Sequence, residues 1–219
     1  MQIRTIAPLL LAVPLTASFG VGPLPCQGPA PSRPATEAPP QRRLTGAEAQ
    51  RVEGLLAQVS QLEKASRFAD AFTTYQEILA IRRRVQGADH WETVNEKWNL
   101  AALKKVSALP AEKRAGWRQA MRADQEADSL DQKAQYAKAL PLRQERLKWC
   151  RQVLGEDHTD TAQSYNNLAF NLYSQGKYAQ AGPLYQKSLD IFRKALGEEH
   201  PSTAEGYNNL AANLHNQGK

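Results

Sequence analysis

The sequence predicts an all-α solenoid built from antiparallel helix pairs, and three observations carry that expectation. The stretch Leu154–Lys177, LGEDHTDTAQSYNNLAFNLYSQGK, returns 42 residues later as Leu196–Lys219, LGEEHPSTAEGYNNLAANLHNQGK, with 16 of 24 aligned positions identical. Self-similarity at a fixed period of this size marks a chain whose units bury their apolar faces only by stacking on neighbours. Within a unit, apolar residues recur at steps of three and four, which is the period of a helix and not of a strand. Between the apolar runs stand short turn signals, of which Gln175-Gly176-Lys177 is the clearest.

The elements follow in chain order. Met1 to Gly22 carries one cation, Arg4, ahead of an uncharged run rich in Leu, Val and Ala, with Ser18-Phe19-Gly20 placing small residues where a signal peptidase cuts. Residues 1–22 are therefore expected to be a signal peptide or a membrane anchor, and the protein to be exported, periplasmic or extracellular, or held at the membrane. Pro8 and Pro14 interrupt the run as a spanning helix, and Pro25 before Cys26 does not suit lipidation. Residues 23–44 hold seven prolines and hardly any large apolar residue, which predicts a disordered linker.

A helical repeat domain is expected over residues 45–219. Thr45 is a good N-cap for a helix running to about Ser66. The next segment aligns with the second helix of the clear repeat, Phe68 with Tyr178, Ala71 with Ala181, Tyr75 with Tyr185 and His90 with His200. HWETVNEKWNLAAL then aligns with the first helix, matching Asn99, Leu100 and Ala101 to Asn167, Leu168 and Ala169. There the period breaks. An irregular insertion is expected at about 103–128, with Pro110 ending one helix and a long additional helix over 111–134. From Tyr136 the regular second helix resumes. In the clear unit, Ala162, Tyr165, Leu168, Ala169 and Leu172 form one apolar stripe, and Ala181, Leu184, Tyr185, Ser188 and Phe192 form its mate. The last repeat reads as truncated, because Gln217-Gly218-Lys219 repeats the turn that precedes a second helix. This predicts a piece of a longer protein.

The chemistry is bland. A formal charge of +6 and 42% hydrophobic residues exclude no globular class. Cys26 and Cys150 are too few and too far apart for a disulfide framework or a zinc site, and Cys150 reads as a small packing residue at the position of Phe192. His90, His158 and His200 each precede a new helix and read as hydrogen-bond donors that fix their loops, not as ligands of one metal. No glycine-rich phosphate loop, His-Glu-x-x-His spacing or nucleophile set occurs, so no enzyme and no cofactor are expected. Arg82, Arg83 and Arg84, with Arg143, Arg146, Lys148 and Arg151, are expected on a solvated face, and no nucleic-acid partner is expected.

Leu168, Ala169, Leu172, Gly176, Tyr178, Ala181 and Tyr185, with Ser188 at a place more often Ala, resemble the packing positions of a tetratricopeptide repeat. The 42-residue spacing, the LGEDH loop and the NNLA helix are similar to the longer form found in kinesin light chains and their bacterial relatives. The resemblance implies a right-handed superhelix and a protein or peptide partner on its concave face. In peptide-binding members, the Asn before Leu-Ala contacts the backbone of an extended ligand, which points to Asn167 and Asn209. An amide can both donate and accept, so the same residues equally suit hydrogen bonds between neighbouring repeats. The candidate binding residues are Gln163, Asn166, Asn167, Phe170, Tyr173, Glu205, Asn208, Asn209 and His215. Two other readings stand beside a binding scaffold. Relatives of this architecture carry a caspase-like peptidase domain of the CHAT type, which would make the chain a recognition arm; and an uncapped last helix would favour self-association.

Overall fold

The computed structural model describes residues 42–218, which form eight helices and, among the described residues, no strand. They are α1 (Gly46–Lys64), α2 (Phe68–Val85), α3 (Trp91–Ser107), α4 (Ala111–Gln132), α5 (Tyr136–Val153), α6 (Thr159–Ser174), α7 (Tyr178–Leu196) and α8 (Pro201–Asn216). The readings of residues 1–22 and of most of 23–44 lie outside the described residues. Leu44, at the end of the expected linker, packs against the first helices. Thr45 takes the extended N-cap conformation without a capping bond from its hydroxyl.

The clear repeat folds as its periodicity requires. Ala162, Tyr165, Leu168, Ala169 and Leu172 of α6 are buried against Ala181, Tyr185 and Phe192 of α7. Small residues bring the two backbones close enough for the Ser188 hydroxyl to donate to the Ala162 carbonyl at 2.8 Å. Leu172 and Tyr173 carbonyls close the turn onto Lys177 and Gly176, and Gly176 adopts φ +74. The same turn position is filled by Ser66, Ala134 and Gly218, all with positive φ.

The long additional helix, α4, also serves as the first helix of the repeat that α5 completes. Its buried Ala120 and Ala127 stand 42 residues before Ala162 and Ala169. α3 has the sequence of a first helix, but no second helix follows it. One side of α3, Leu100 and Leu103, packs on α1 and α2. The other side, Ala102 and Val106, packs on Trp117, Cys150 and Leu154.

The cations do not form one solvated face. Arg82, Arg143 and Arg146 are buried, whereas Arg83, Arg84, Lys148 and Arg151 are exposed. Burial is tolerated because acids on the adjacent helix meet each guanidinium. Arg82 lies 3.1 Å from Glu92 and 3.3 Å from Glu96, pinning α2 to α3. Arg143 bonds Asp124, Asp128 and Asp131, each at 2.7 Å, pinning α5 to α4. Cys150 is fully buried, and burial pushes its thiol up to about 11.

A candidate partner-binding face

The first helices position the candidate residues. On α6, Gln163, Asn167, Phe170 and Ser174 recur at steps of four, three and four, so they form one stripe on the side opposite the core. Among the described residues, Phe170 is the most exposed large apolar residue, at 45%. Gln163 donates to the Asn167 side-chain oxygen at 2.9 Å, a bond within the helix that does not engage the Asn167 N–H groups. On α8 the equivalent positions are Glu205, Asn209, Ala212 and Asn216, which continue the stripe.

The other candidates sit in the seam between α6 and α8. Asn166 is buried, and its carbonyl oxygen accepts from the Asn209 side chain at 3.0 Å. The Tyr173 hydroxyl accepts from Asn216 at 2.7 Å, and the Tyr173 ring meets Tyr178 edge-on at 5.2 Å. Asn208 and His215 are the counterparts of Asn166 and Tyr173 one repeat on, and both are exposed. The nine candidates therefore divide: Gln163, Asn167, Phe170, Glu205 and Asn209 share the stripe, Asn166 and Tyr173 line the seam, and Asn208 and His215 lie on the free side of α8. Asn209 does both, since it belongs to the stripe and bridges repeats, and Asn216 does the same through Tyr173.

Sequence reasoning left out two groups. Met121, Gln125 and Asp128 of α4 stand 42 residues before Gln163, Asn167 and Phe170 and extend the stripe, a spacing that was available once α4 is taken as a first helix. Asn171 is fully buried and donates to the Tyr136 carbonyl at 3.0 Å and to Asp131 at 2.9 Å, locking α6 onto the turn of the preceding pair. Its spacing from Asn213 was the signal.

The loop histidines hold their loops as acceptors, not donors. Nδ1 of His90, His158 and His200 accepts from the backbone N–H two residues on, at 3.3, 3.1 and 3.1 Å. Each ring thereby satisfies one of the bare N–H groups that open a helix. Among the described residues no group of three His, Cys, Asp or Glu is placed to hold a metal ion, and no helix is long and apolar enough to cross a membrane.

Comparison with known proteins follows the same division of the chain. The family model for the tetratricopeptide repeat matches residues 119–181 and 160–219, so it begins inside α4 and takes α4 with α5 as a repeat. No curated protein matches the chain by sequence. Among solved structures, the crystal structure of BtubC (BKLC) from P. vanneervenii is similar at 17% identity, covering 79% of this chain and 68% of that one, with a TM-score of 0.46. Over residues 119–219, the part that the family model covers, the α4 to α8 array with its 42-residue register and small-residue packing positions is made of tetratricopeptide repeats.

Proposed function

We propose that the chain is a protein-interaction scaffold that binds an extended peptide segment of a partner on the concave face of its repeats. The observation that carries this reading is the half-buried stripe of amides around the exposed Phe170. A large apolar side chain on a surface costs solvation unless something covers it, and aromatic anchors ringed by hydrogen-bonding groups are where interface energy concentrates. Asn167 supplies both a donor and an acceptor beside that anchor, as backbone recognition requires. Glu205 makes one end of the stripe acidic, which favours a peptide with a basic residue near that end, whereas Asp128 at the other end is paired with Arg143. Gln163, Asn166, Tyr173, Asn208, Asn209 and His215 complete the proposed site, Asn166 and Tyr173 by holding α8 at the angle that continues the stripe. Export or membrane attachment through residues 1–22 belongs to the same proposal, and no catalytic role is assigned.

The test is selection of peptides from a random library on the whole chain, followed by titration of a selected peptide against variants. Phe170→Ala is expected to weaken binding at least tenfold and Asn167→Ala several-fold, with unchanged circular dichroism. Peptides whose affinity ignores both substitutions while the fold stays intact would place the site elsewhere.

A further inference from the structure

The edge of the array formed by the loops between repeats already carries a helix. Loop Leu154–His158 joins α5 to α6, and loop Leu196–His200 joins α7 to α8. α3 lies across both. Its Lys105 ammonium donates to the Leu154 carbonyl. Trp98 meets the His158 ring edge-on, with centroids 5.0 Å apart. Trp91 meets His200 in the same manner at 6.2 Å, and the Asn95 side-chain oxygen lies 3.2 Å from His200 Nε2. Because Nδ1 of His200 accepts from Ser202, Nε2 carries the proton and donates to Asn95.

The register of these contacts is regular. Along one line of α3, Trp91, Asn95, Trp98, Ala102 and Lys105 touch the array at steps of four, three, four and three, with Val106 packed beside its end. Trp98 and Trp91 are seven residues apart on α3, whereas the histidines they meet are 42 apart in the repeats. Seven helical residues rise about 10 Å, and packed helices lie about 8–10 Å apart. One heptad of the crossing helix therefore advances by roughly one step of helix packing, so successive aromatic residues meet successive loops.

We propose that this loop edge is a second recognition surface, distinct from the stripe on the first helices, for an amphipathic helix bearing aromatic residues seven positions apart, and that α3 occupies it in cis. The ligand chemistry is set by the loops: each offers an imidazole that an indole meets edge-on, and His200 adds an Nε2 that donates to a side-chain carbonyl one turn away, whereas Nε2 of His158 is buried and bonded to no side chain. α3 provides both, in the order Trp91, Asn95, Trp98. The helix reaches the array through side chains and a three-residue connection, 108–110, while Leu100, Leu103 and the Arg82 ion pairs hold its other side to α1 and α2, so exchange means release of α3 from the array edge and not from α2.

The experiment uses the full chain with Trp91→Ala and Trp98→Ala together and a labelled synthetic peptide of residues 88–108. The doubly substituted chain is expected to bind the peptide at least tenfold more tightly than the unaltered chain, whose own α3 competes. Hydrogen exchange in that variant is expected to rise at 154–158, 196–200 and α3 while α6 and α7 stay protected. Equal binding to both chains, or none to a folded variant, overturns the proposal. Should the variant not fold, exchange in the unaltered chain decides. α3 amides are expected to exchange through an opening more frequent than that of α6 and α7, and α3 amides as slow as those of α6 would show an integral core helix.

Discussion

The pair α4–α5 and the pair α6–α7 have the same register and opposite interiors. Where α7 places Tyr185 and Ser188, α5 places Arg143 and Arg146; where α6 places Asn166, Phe170 and Tyr173, α4 places Asp124, Asp128 and Asp131. In α6–α7 the tyrosine is buried among leucines, and burial holds its phenol above the usual range. In α4–α5 the guanidinium takes the tyrosine's place, and three carboxylates close around it. Arg146 adds Asp124 at 3.5 Å and stacks over Trp117 at 5.1 Å. Asp124 and Asp131, at the positions where α6 holds the seam residues Asn166 and Tyr173, are thus drawn inward as counter-charges in α4, and Asp128, at the position of Phe170, joins them from the surface. The comparison teaches that the 42-residue frame is set by small residues at the backbone contacts, Ala120 with Ala127 and Ala162 with Ala169, and that the rest of the interior can be apolar or ionic. It also teaches that an ionic interior changes the surface, because Asp128 cannot offer what Phe170 offers.

The largest effect should come from emptying the apolar interior. Phe192→Ala removes a buried ring and is expected to cost about 3–5 kcal/mol. Cys150→Ala at the equivalent position deletes one sulfur atom and is expected to cost about 1 kcal/mol. Urea midpoints of the two variants measure the contrast, and equal losses would mean the two interiors are packed alike. Next comes Arg143→Tyr, which copies the neighbouring repeat. It deprives Asp131, which is nearly fully buried, of its cation and leaves Asp124 only its longer pairing with Arg146, so it is expected to cost about 3 kcal/mol. Adding Asp124→Asn, Asp128→Phe, Asp131→Tyr and Arg146→Ser, each the residue found 42 positions later, is expected to restore most of that loss. A fivefold variant no more stable than the single one would show that the ionic interior is required by its backbone and not merely permitted.

Acid sharpens the contrast at the loops flanking these pairs. Burial holds His158 and His200 below the usual histidine value of 6.5. Lys105 and Arg146 press His158 the same way, and Asp160 opposes them; His200 faces Asn95 and the Trp91 backbone. A group with a depressed folded value binds fewer protons in the native state, so stability rises with pH across that window. The contribution is complete above 6.5 and is lost as pH falls below it. Glu63 titrates in the other direction: burial raises it to about 7, so its folded form gains relative stability on acidification. Global melting mixes the two, and hydrogen exchange of α3 amides separates them. Protection of α3 is expected to fall between pH 7 and pH 5 while that of α7 holds; a parallel fall in both would remove the histidines as the cause.

Much of this was legible. The period, the stripes of α6 and α7, the burial of Cys150 and the extent of α4 all follow from spacing, because local periodicity reports which face a helix must hide. Burial of Arg82, Arg143 and Arg146 was not read correctly, because a cation at helical spacing looks solvated until its partners are placed. The partners were nonetheless written in the sequence, as acids at 124, 128 and 131 on one face of the helix that precedes Arg143. The position of α3 was beyond reach. Its sequence fits a first helix, and its route across the loop edge depends on a match between a heptad and a repeat step that no single segment contains. The candidate stripe was legible for α6 and α8, and only the α4 portion was lost with the period.

The smallest test concerns the turn that the pairs share. Gly176 joins α6 to α7 with φ +74, while Ala134 joins α4 to α5 with φ +54. A left-handed residue with a Cβ costs about 1–2 kcal/mol, and glycine removes that cost at the expense of a more flexible unfolded chain. Ala134→Gly is therefore expected to stabilise by about 0.5–1 kcal/mol, and Gly176→Ala to destabilise by about 1 kcal/mol. Space does not confuse the second substitution, since a Cβ on Gly176 meets nothing within 4 Å. Both are read from urea midpoints at constant slope. Opposite signs of similar size would show that one turn geometry serves both pairs. A neutral Ala134→Gly would instead mean that the ionic pair absorbs the strained alanine, through the Arg143 bond to Asp131 three residues upstream of it, a bond for which α6–α7 has no equivalent.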